Sequence, residues 1–553
     1  MGAHTRGIHC YCDASGSWPT SLPLYESSPL SRARRLAARR WRACGPSVAL
    51  GAGVVLCATL AGCDRKVSTP ADSKRELVTV GKAACAPHDH PESGLQGQVP
   101  APLRKVGGFA GFNCNLELVG QSRGDGAGWQ NVFYSDKSGH VCSYYDTSPI
   151  ATGRIHTGVV VVDATDANHP VPTAYLASPA MVDPLESLKA NARRQLLGAV
   201  DSITGTGGPM IELYDISADC RFPRLLSPSR PQGSAAPQDP VRGDEGSFSP
   251  DGLTYYATNL RGGLIYPIDV SDPQRPRVLA EWSMPFNQRT SGLSTSEDGN
   301  RAYLTLFGHG SAAPARGRPS LDNGVIIADV SDVQARRANP QVKVISTLLW
   351  ADGSASHQTI PVRIDGKAYL IATDQGGSGV ANGDGWTAAC RAGLPAWSMA
   401  RILDIDDERN PTIAAKLALE VNDPKNCGEA LPDLTGLSGF TYDNHYCSVD
   451  NQQNATTLAC ASFESGVRVF DIRNPSHPKE IAYFVPPSVT TPSPGSWNNR
   501  AAATGRPDHC SAQIRLDAAT RTLMTTCQDN GFLALKFASG VWPFSSARSP
   551  AAQ

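Results

Sequence analysis

Short apolar runs that end in aspartate recur along the chain, and each is followed by a polar turn and a second apolar run. A strand buried on both faces is continuously apolar rather than alternating. An Asp at its end can accept hydrogen bonds from backbone N–H groups of the next turn, which gives these Asp residues a structural role. Six copies end at Asp163, Asp215, Asp269, Asp329, Asp404 and Asp471, and a seventh, residues 532–536, ends at Lys536.

The spacing of these copies predicts the architecture. Successive copies end roughly 50 to 75 residues apart, a repeat size typical of propeller blades that carry insertions. Two more strands, joined by an Asp-Gly turn, precede several of the motifs. We predict an all-β propeller of seven four-stranded blades over residues 101–540. The seventh copy lacks an outer strand, so an N-terminal strand must close the ring, and we place it at residues 103–107.

The repeated motif resembles the LVIVD repeat of bacterial and archaeal surface β-propellers, over nearly all of residues 105–540. The resemblance implies mainly a fold, because most such proteins have no established activity.

The composition agrees with this fold and narrows the partners. The chain has 52 Gly and 42 Pro with 41% apolar residues, which suits short strands and turns. Lys and Arg total 50 against 51 Asp and Glu, so no uniform field attracts the protein to nucleic acid.

Residues 1–62 are typical of a targeting segment. A basic stretch at residues 32–42 precedes an apolar segment at about 48–60, and the sequence Leu-Ala-Gly then leads to Cys63. This pattern resembles a bacterial lipoprotein signal, and it implies a lipidated Cys63 that anchors a linker at residues 63–100 in the membrane. The alternative is an uncleaved membrane anchor. Residues 1–30 suggest a start codon assigned too early, and residues 541–553 form a tail.

Asp64 directly follows the predicted lipidated cysteine. In Gram-negative bacteria this position resembles the signal that retains lipoproteins at the inner membrane. We therefore expect an exported protein on the periplasmic face of that membrane.

Ten cysteines remain after Cys63 and the four before it are set aside, an even number that predicts disulfides in an oxidising compartment. Cys447 and Cys460 flank one expected hairpin, and Cys510 and Cys527 flank another. Proximity along the chain suggests two further pairs, Cys114 with Cys142 and Cys390 with Cys427, which leaves Cys85 and Cys220. Sequence alone leaves the connectivity open.

Three histidines occupy matched positions in the last three repeats. His445 precedes Asp471, and His509 precedes Lys536, by nearly the same length of chain. His357 precedes Asp404 by a longer stretch, and a Gly-rich insertion at about 376–396 explains the excess. All three therefore begin the innermost strand of a blade and are expected to converge on the channel. Three imidazoles with an open position can hold one transition metal, Cu, Zn or Fe.

The arrangement resembles the copper propellers of methanethiol oxidases and selenium-binding proteins, although their motifs do not transfer residue by residue. Counting back from Asp269 places Asp244 and Glu245 at the same level, as further ligands or a base. Trp386, in the insertion, is a candidate aromatic wall for a ligand. The alternative is that each histidine fills a tapering channel and bonds a backbone group or buried water.

Two functions follow from these patterns. The first is a non-enzymatic cell-envelope lipoprotein whose propeller binds a partner protein, a glycan or a small ligand. The second is a metal-dependent periplasmic enzyme, an oxidase or hydrolase, that uses His357, His445 and His509. Serine-hydrolase, zincin and nucleotide-binding motifs are absent from the sequence.

Overall fold

The structure is a computed structural model of the 553-residue chain. It describes residues 65–67, 77–104, 108–147, 155–202, 211–227, 243–260, 262–285, 288–308, 323–378, 383–437, 439–494, 496 and 506–544. The predicted signal segment, Cys63 and Asp64 lie outside these residues, as do 545–553 of the predicted tail. Their assignments stay predictions.

The described chain folds into seven antiparallel sheets arranged as a seven-bladed β-propeller. Three strands precede the first blade: β1 (Arg65–Val67), β2 (Phe112–Cys114) and β3 (Leu116–Ser122). Blade 1 consists of β4 (Asn131–Ser135), β5 (Val141–Asp146), β6 (Val159–Asp163) and β7 (Val171–Leu176). Blade 2 consists of β8 (Lys189–Asn191), β9 (Leu196–Ala199), β10 (Glu212–Asp215) and β11 (Arg224–Leu225).

The next two blades carry an additional strand each. Blade 3 consists of β12 (Gly246–Phe248), β13 (Thr254–Asn259), β14 (Leu264–Asp269) and β15 (Arg277–Val278), with β16 (Trp282–Ser283) also on β14. Blade 4 consists of β17 (Leu293–Thr295), β18 (Arg301–Phe307), β19 (Asn323–Asp329) and β20 (Lys343–Trp350), and β1 pairs parallel to β20.

The last three blades complete the ring. Blade 5 consists of β21 (Ser354–Ile364), β22 (Lys367–Gly376), β23 (Ala400–Asp404) and β24 (Thr412–Leu417). Blade 6 consists of β25 (Cys447–Val449), β26 (Thr457–Ala461), β27 (Val467–Asp471) and β28 (Lys479–Val485), with β2 on its outer edge. Blade 7 consists of β29 (Arg515–Asp517), β30 (Thr522–Cys527) and β31 (Gly531–Phe537), with β3 as the fourth strand.

The repeated motif forms the third strand of every blade, as predicted. Each terminal Asp accepts a hydrogen bond from the backbone N–H two residues later, for example Asp215 from Ser217 at 2.9 Å. The same bond recurs at Asp163, Asp269, Asp329, Asp404 and Asp471. These Asp residues therefore hold the turn that ends the strand.

An N-terminal strand closes the ring, but the predicted position of that strand is wrong. β3 pairs antiparallel with β31, from Leu116 opposite Phe537 to Ser122 opposite Phe532. Part of the predicted donor instead forms a short 3-10 helix, Ala101–Leu103. Arg104, just beyond that helix, pairs with Glu464, so this part of the segment is used for docking on blade 6.

Five disulfides form among the residues that the structure describes. Cys447–Cys460, Cys510–Cys527 and Cys390–Cys427 form as predicted. The pairing of Cys114 with Cys142 is wrong, because β2 joins the edge of blade 6 whereas Cys142 lies in β5 of blade 1. The two bonds are Cys85–Cys114 and Cys142–Cys220.

Helices are few and short. They are α1 (Pro179–Val182), α2 (Ser331–Gln334), α3 (Gly383–Arg391) and α4 (Cys427–Ala430), with 3-10 turns at Glu420–Asn422, Pro424–Asn426 and Leu431–Leu434. None of the helices in the described ranges has the length and apolar character that crossing a membrane requires.

Candidate metal centre

The first strands of successive blades contact one another around the axis, so residues at their beginnings share one level of the channel. Glu186 lies just before β8, Glu245 just before β12, and these two residues form an isolated parallel bridge. His357 lies in β21 and His445 just before β25. The fold therefore brings acidic residues of blades 2 and 3 to histidines of blades 5 and 6.

Glu186 contacts both of these histidines. Its Oε2 lies 2.8 Å from Nε2 of His357, and its Oε1 lies 3.3 Å from Nε2 of His445. The two imidazole rings stack with centroids 4.0 Å apart. One ligand atom from each of the three residues lies within 4.8 Å of the other two, and all three side chains are buried.

A backbone carbonyl of blade 7 fixes the orientation of the His445 ring through the nitrogen that faces away from Glu186. Its Nδ1 lies 2.9 Å from the carbonyl oxygen of Ser511, so Nδ1 carries the proton and donates it. In the neutral ring, Nε2 then presents a lone pair to the Glu186 carboxylate, and no described residue gives Nε2 a hydrogen bond. Two acceptors face each other here, which favours a proton or a metal cation between them.

A local irregularity in β21 explains the direction of His357. In the pairing with β22, Ser356 lies opposite Asp374 and Gln358 opposite Thr373, so His357 is an extra residue without a partner strand position. Such a bulge turns one side chain away from the regular alternation. Here it directs the imidazole to Glu186.

Burial and neighbours set the protonation of the cluster. Burial lowers the pKa of His357, and the adjacent His445 lowers it further, against the opposite effect of Glu186. Burial alone would raise the pKa of Glu186, but the two imidazoles outweigh it and hold the pKa below its ordinary value. Burial therefore disfavours the charged form of His357, whereas the two imidazoles favour the ionised form of Glu186.

Two further carboxyl groups lie beside the cluster. Glu245 Oε1 pairs with Lys189 Nζ at 2.9 Å, and Asp244 accepts a hydrogen bond from Ser291 at 3.0 Å. Burial raises the pKa of both groups, and the nearby Glu186 raises that of Asp244 further. Sequence counting placed both residues at this level, and both side chains are buried near Glu186.

His509 lies apart from this cluster, with a different carboxylate. Its Nε2 is 3.4 Å from Oε1 of Glu464, which also pairs with Arg104 and Arg506. His509 and His445 lie at nearly the same number of residues before the ends of their third strands. However, β29 begins six residues after His509, whereas β25 begins two residues after His445. Ser511 is the blade 7 residue that meets His445. The predicted set of three histidines is therefore replaced by two histidines and Glu186.

Trp386 does not line the mouth of the channel. It lies in α3, is 1% exposed and packs beside Trp397 in the apolar core, with ring centroids 6.2 Å apart. Cys390, on the same helix, forms its disulfide with Cys427. The helix thus packs against blade 5. Its indole is buried in that core and cannot contact a ligand in the channel.

Sequence reasoning missed Glu186. Asp244 and Glu245 were found by counting residues back from Asp269. The same number of residues counted back from Asp215 in blade 2 leads to Lys189, three residues after Glu186. The first strand of that blade is only three residues long and carries no apolar run. The distance along the chain from Asp215 was therefore the one feature of the sequence that pointed to the neighbourhood of Glu186.

Comparisons with known proteins concern the fold. No protein-family model matches the chain, and no curated protein sequence is significantly similar. Membership of the LVIVD family therefore stays a prediction.

Solved structures with a similar fold include three proteins. A Lactobacillus plantarum protein is 13% identical, covering 68% of this chain and 87% of its own, with a TM-score of 0.43. Hydrazine synthase of Kuenenia stuttgartiensis is 13% identical, covering 76% and 97%, with a TM-score of 0.44. The periplasmic gluconolactonase PpgL of Pseudomonas aeruginosa is 12% identical, covering 68% and 97%, with a TM-score of 0.43. Likenesses of this size say nothing about function.

Proposed function

We propose that this protein is a metal-dependent hydrolase of the bacterial cell envelope, with one divalent transition metal on Glu186, His357 and His445. The contact between Nε2 of His445 and Oε1 of Glu186, 3.3 Å apart, carries the proposal. Because Nδ1 of His445 donates to the Ser511 carbonyl, a neutral ring presents its lone pair to the carboxylate. A cation between the two would turn this repulsion into coordination.

The donor set suits a catalytic metal rather than a structural one. Two imidazoles and one carboxylate leave coordination positions for water and substrate, the arrangement of catalytic zinc and of non-haem iron sites. The Ser511 carbonyl fixes the tautomer and direction of His445, as groups behind a metal ligand commonly do. When bound, the metal would lower the pKa of a coordinated water and so supply a nucleophile at neutral pH.

The neighbouring groups favour hydrolysis over oxidation. Asp244 and Glu245 lie beside the ligands and can exchange protons with a reacting group. Lys189, paired with Glu245, offers a positive charge at the same level.

Two features support a location outside the cytoplasm. The five disulfides are typical of an oxidising compartment. The N-terminal pattern before Cys63 predicts lipidation, and Asp64 favours the periplasmic face of the inner membrane. The membrane anchor is therefore part of the proposal.

Metal content tests the proposal. Protein purified without chelators, or reconstituted with Zn²⁺, should hold about one metal ion per chain by elemental analysis. Glu186→Gln, His357→Ala and His445→Ala should each weaken metal binding by about tenfold or more. His169→Ala is the matched control, because His169 also contacts a carboxylate, Asp166 at 2.8 Å, but on the exposed surface.

Failure of reconstituted wild-type protein to bind metal would overturn the proposal. The non-enzymatic binding of a protein, glycan or small ligand would then be the better explanation of the channel. Equal metal content in wild type and His445→Ala would also overturn it.

A further inference from the structure

Aromatic side chains pack against the metal centre. The ring of Trp129, just before β4, is 5.6 Å from that of His445, 5.5 Å from Phe440 and 6.0 Å from Phe463. Phe440 and Phe463 stack at 4.7 Å. Phe463 is fully buried, whereas Trp129 and Phe440 are partly exposed. These rings form an aromatic wall that reaches from partly exposed positions to a metal ligand.

A guanidinium group with unused donors adjoins this wall. Nε and Nη2 of Arg506 contact Oε1 of Glu464 at 2.6 and 2.5 Å, and Nη2 also donates to the carbonyl oxygen of Phe440 at 3.2 Å. Nη1 lies on the opposite side of the planar group and has no hydrogen-bond partner among the described residues, although the side chain is only 3% exposed. A buried donor without a partner is costly, which makes it a candidate for binding a ligand.

Two guanidinium groups are concentrated next to the aromatic wall. Arg104 and Arg506 are two guanidinium groups that share the single carboxylate of Glu464. All three side chains are largely buried, so their charges are weakly screened. His509, which contacts the same carboxylate, is held neutral because burial lowers its pKa. Two guanidinium groups therefore lie beside the aromatic wall, and one carboxylate contacts both of them.

We propose that Trp129, Phe440 and Arg506 form a binding subsite for an organic acid that carries a flat ring. The ring packs against the indole of Trp129, and the acid group accepts hydrogen bonds from Nη1 of Arg506. In an enzyme this subsite would orient the substrate at the metal, and that role rests on the proposed function. Binding of the acid itself requires no metal.

The test uses the metal-free full chain, so that the metal cannot itself bind the probe. Benzoate carries both a ring and an anionic group, benzyl alcohol carries the ring alone, and acetate carries the anionic group alone. Titration calorimetry should show benzoate binding about tenfold or more tightly than either of the other probes, since each lacks one of the two contacts. Equal binding of benzyl alcohol, or no binding of benzoate, would overturn the proposal.

Variants locate the subsite. Trp129→Ala and Arg506→Gln should each weaken benzoate binding by about tenfold. Trp282→Ala, at a partly exposed indole in the outer part of blade 3, is the matched control and should leave the affinity unchanged. If Arg506→Gln fails to fold, Trp129→Ala decides, and unchanged affinity in that variant contradicts the subsite. Metal content measured on the same samples separates this result from the outcome for the metal centre.

Discussion

The imidazole rings of His357 and His445 stack 4.0 Å apart, and each directs its Nε2 to the same carboxylate, Glu186. They come from neighbouring blades, and a bulge in β21 directs one while the Ser511 carbonyl directs the other. Two protonated imidazoles this close would repel each other in a buried site. A single shared cation satisfies both rings at once.

Metal binding should therefore stabilise the fold. Zn²⁺ at a hundred times its dissociation constant should add about 2.7 kcal/mol to the free energy of unfolding, because only the folded chain assembles the ligands. Differential scanning calorimetry of chelator-treated protein, with and without Zn²⁺, measures the shift in Tm. His445→Ala should abolish the shift. His509→Ala should keep it, even from a lower starting Tm, and a lost shift in that variant would contradict the assignment of His509 to the other cluster.

Gly292 should be intolerant of substitution. A Cβ at this position would overlap Oε2 of Glu245, so the carboxylate and its ion pair with Lys189 would have to move. Gly292→Ala should cost about 1 to 3 kcal/mol of unfolding free energy in urea titrations. Gly428→Ala is the control, because a Cβ there would meet nothing within 4 Å and alanine favours the short helix α4. Equal stability of the two variants would show that the packing around Glu245 is looser than the structure indicates.

The disulfides should differ in their contribution to stability according to the chain they enclose. Cys447–Cys460 spans 13 residues and Cys142–Cys220 spans 78. Loop-closure entropy predicts a loss of about 3 kcal/mol for Cys447→Ser with Cys460→Ser, and about 4 to 5 kcal/mol for Cys142→Ser with Cys220→Ser. Thermal unfolding of the two double variants measures the order. The reverse order, or no change on removing Cys447–Cys460, would count against the loop-closure explanation.

Asp352 should make the protein sensitive to acid. Burial opposes its ionisation, but Arg401 and Lys416 lower its pKa to about 2, from an ordinary 3.8. A lowered pKa in the folded state gives stability that is complete above about pH 4 and is lost as the pH falls towards 2. The loss for this group is about 2 kcal/mol. Urea unfolding between pH 5 and 2.5 should show a shallower pH dependence in Asp352→Asn, and parallel curves would refute the assignment.

The blades could be predicted from the sequence because their signal is local. A run such as 467–471 is largely apolar and ends in an Asp that holds its own turn. The closing strand could not be located from the sequence. Whether residues 103–107 or β3 pairs with blade 7 depends on contacts with residues far away in the sequence. Arg104 reaches Glu464, and Cys85–Cys114 holds β2 at blade 6, which leaves β3 for blade 7.

The candidate site was predictable only in part. His357 and His445 followed from their position at the start of the innermost strands. His509 shares the same count, but an irregular segment before β29 displaces it from the channel level, and its backbone neighbour Ser511 takes that place. Glu186 belongs to a blade whose short first strand has no apolar signal, so the residue that joins the two histidines could be found only in three dimensions.

The pairing of β3 with β31 also constrains biosynthesis. These strands stand near opposite ends of the folded region, so the ring stays open until residues 531–537 have been synthesised. Until then β3 presents an unpaired edge, which can recruit strands of other chains. The histidine-bearing blades emerge late and are sealed by that last strand. A chain that stops short of β31 should therefore be a substrate for proteases and chaperones rather than a smaller propeller.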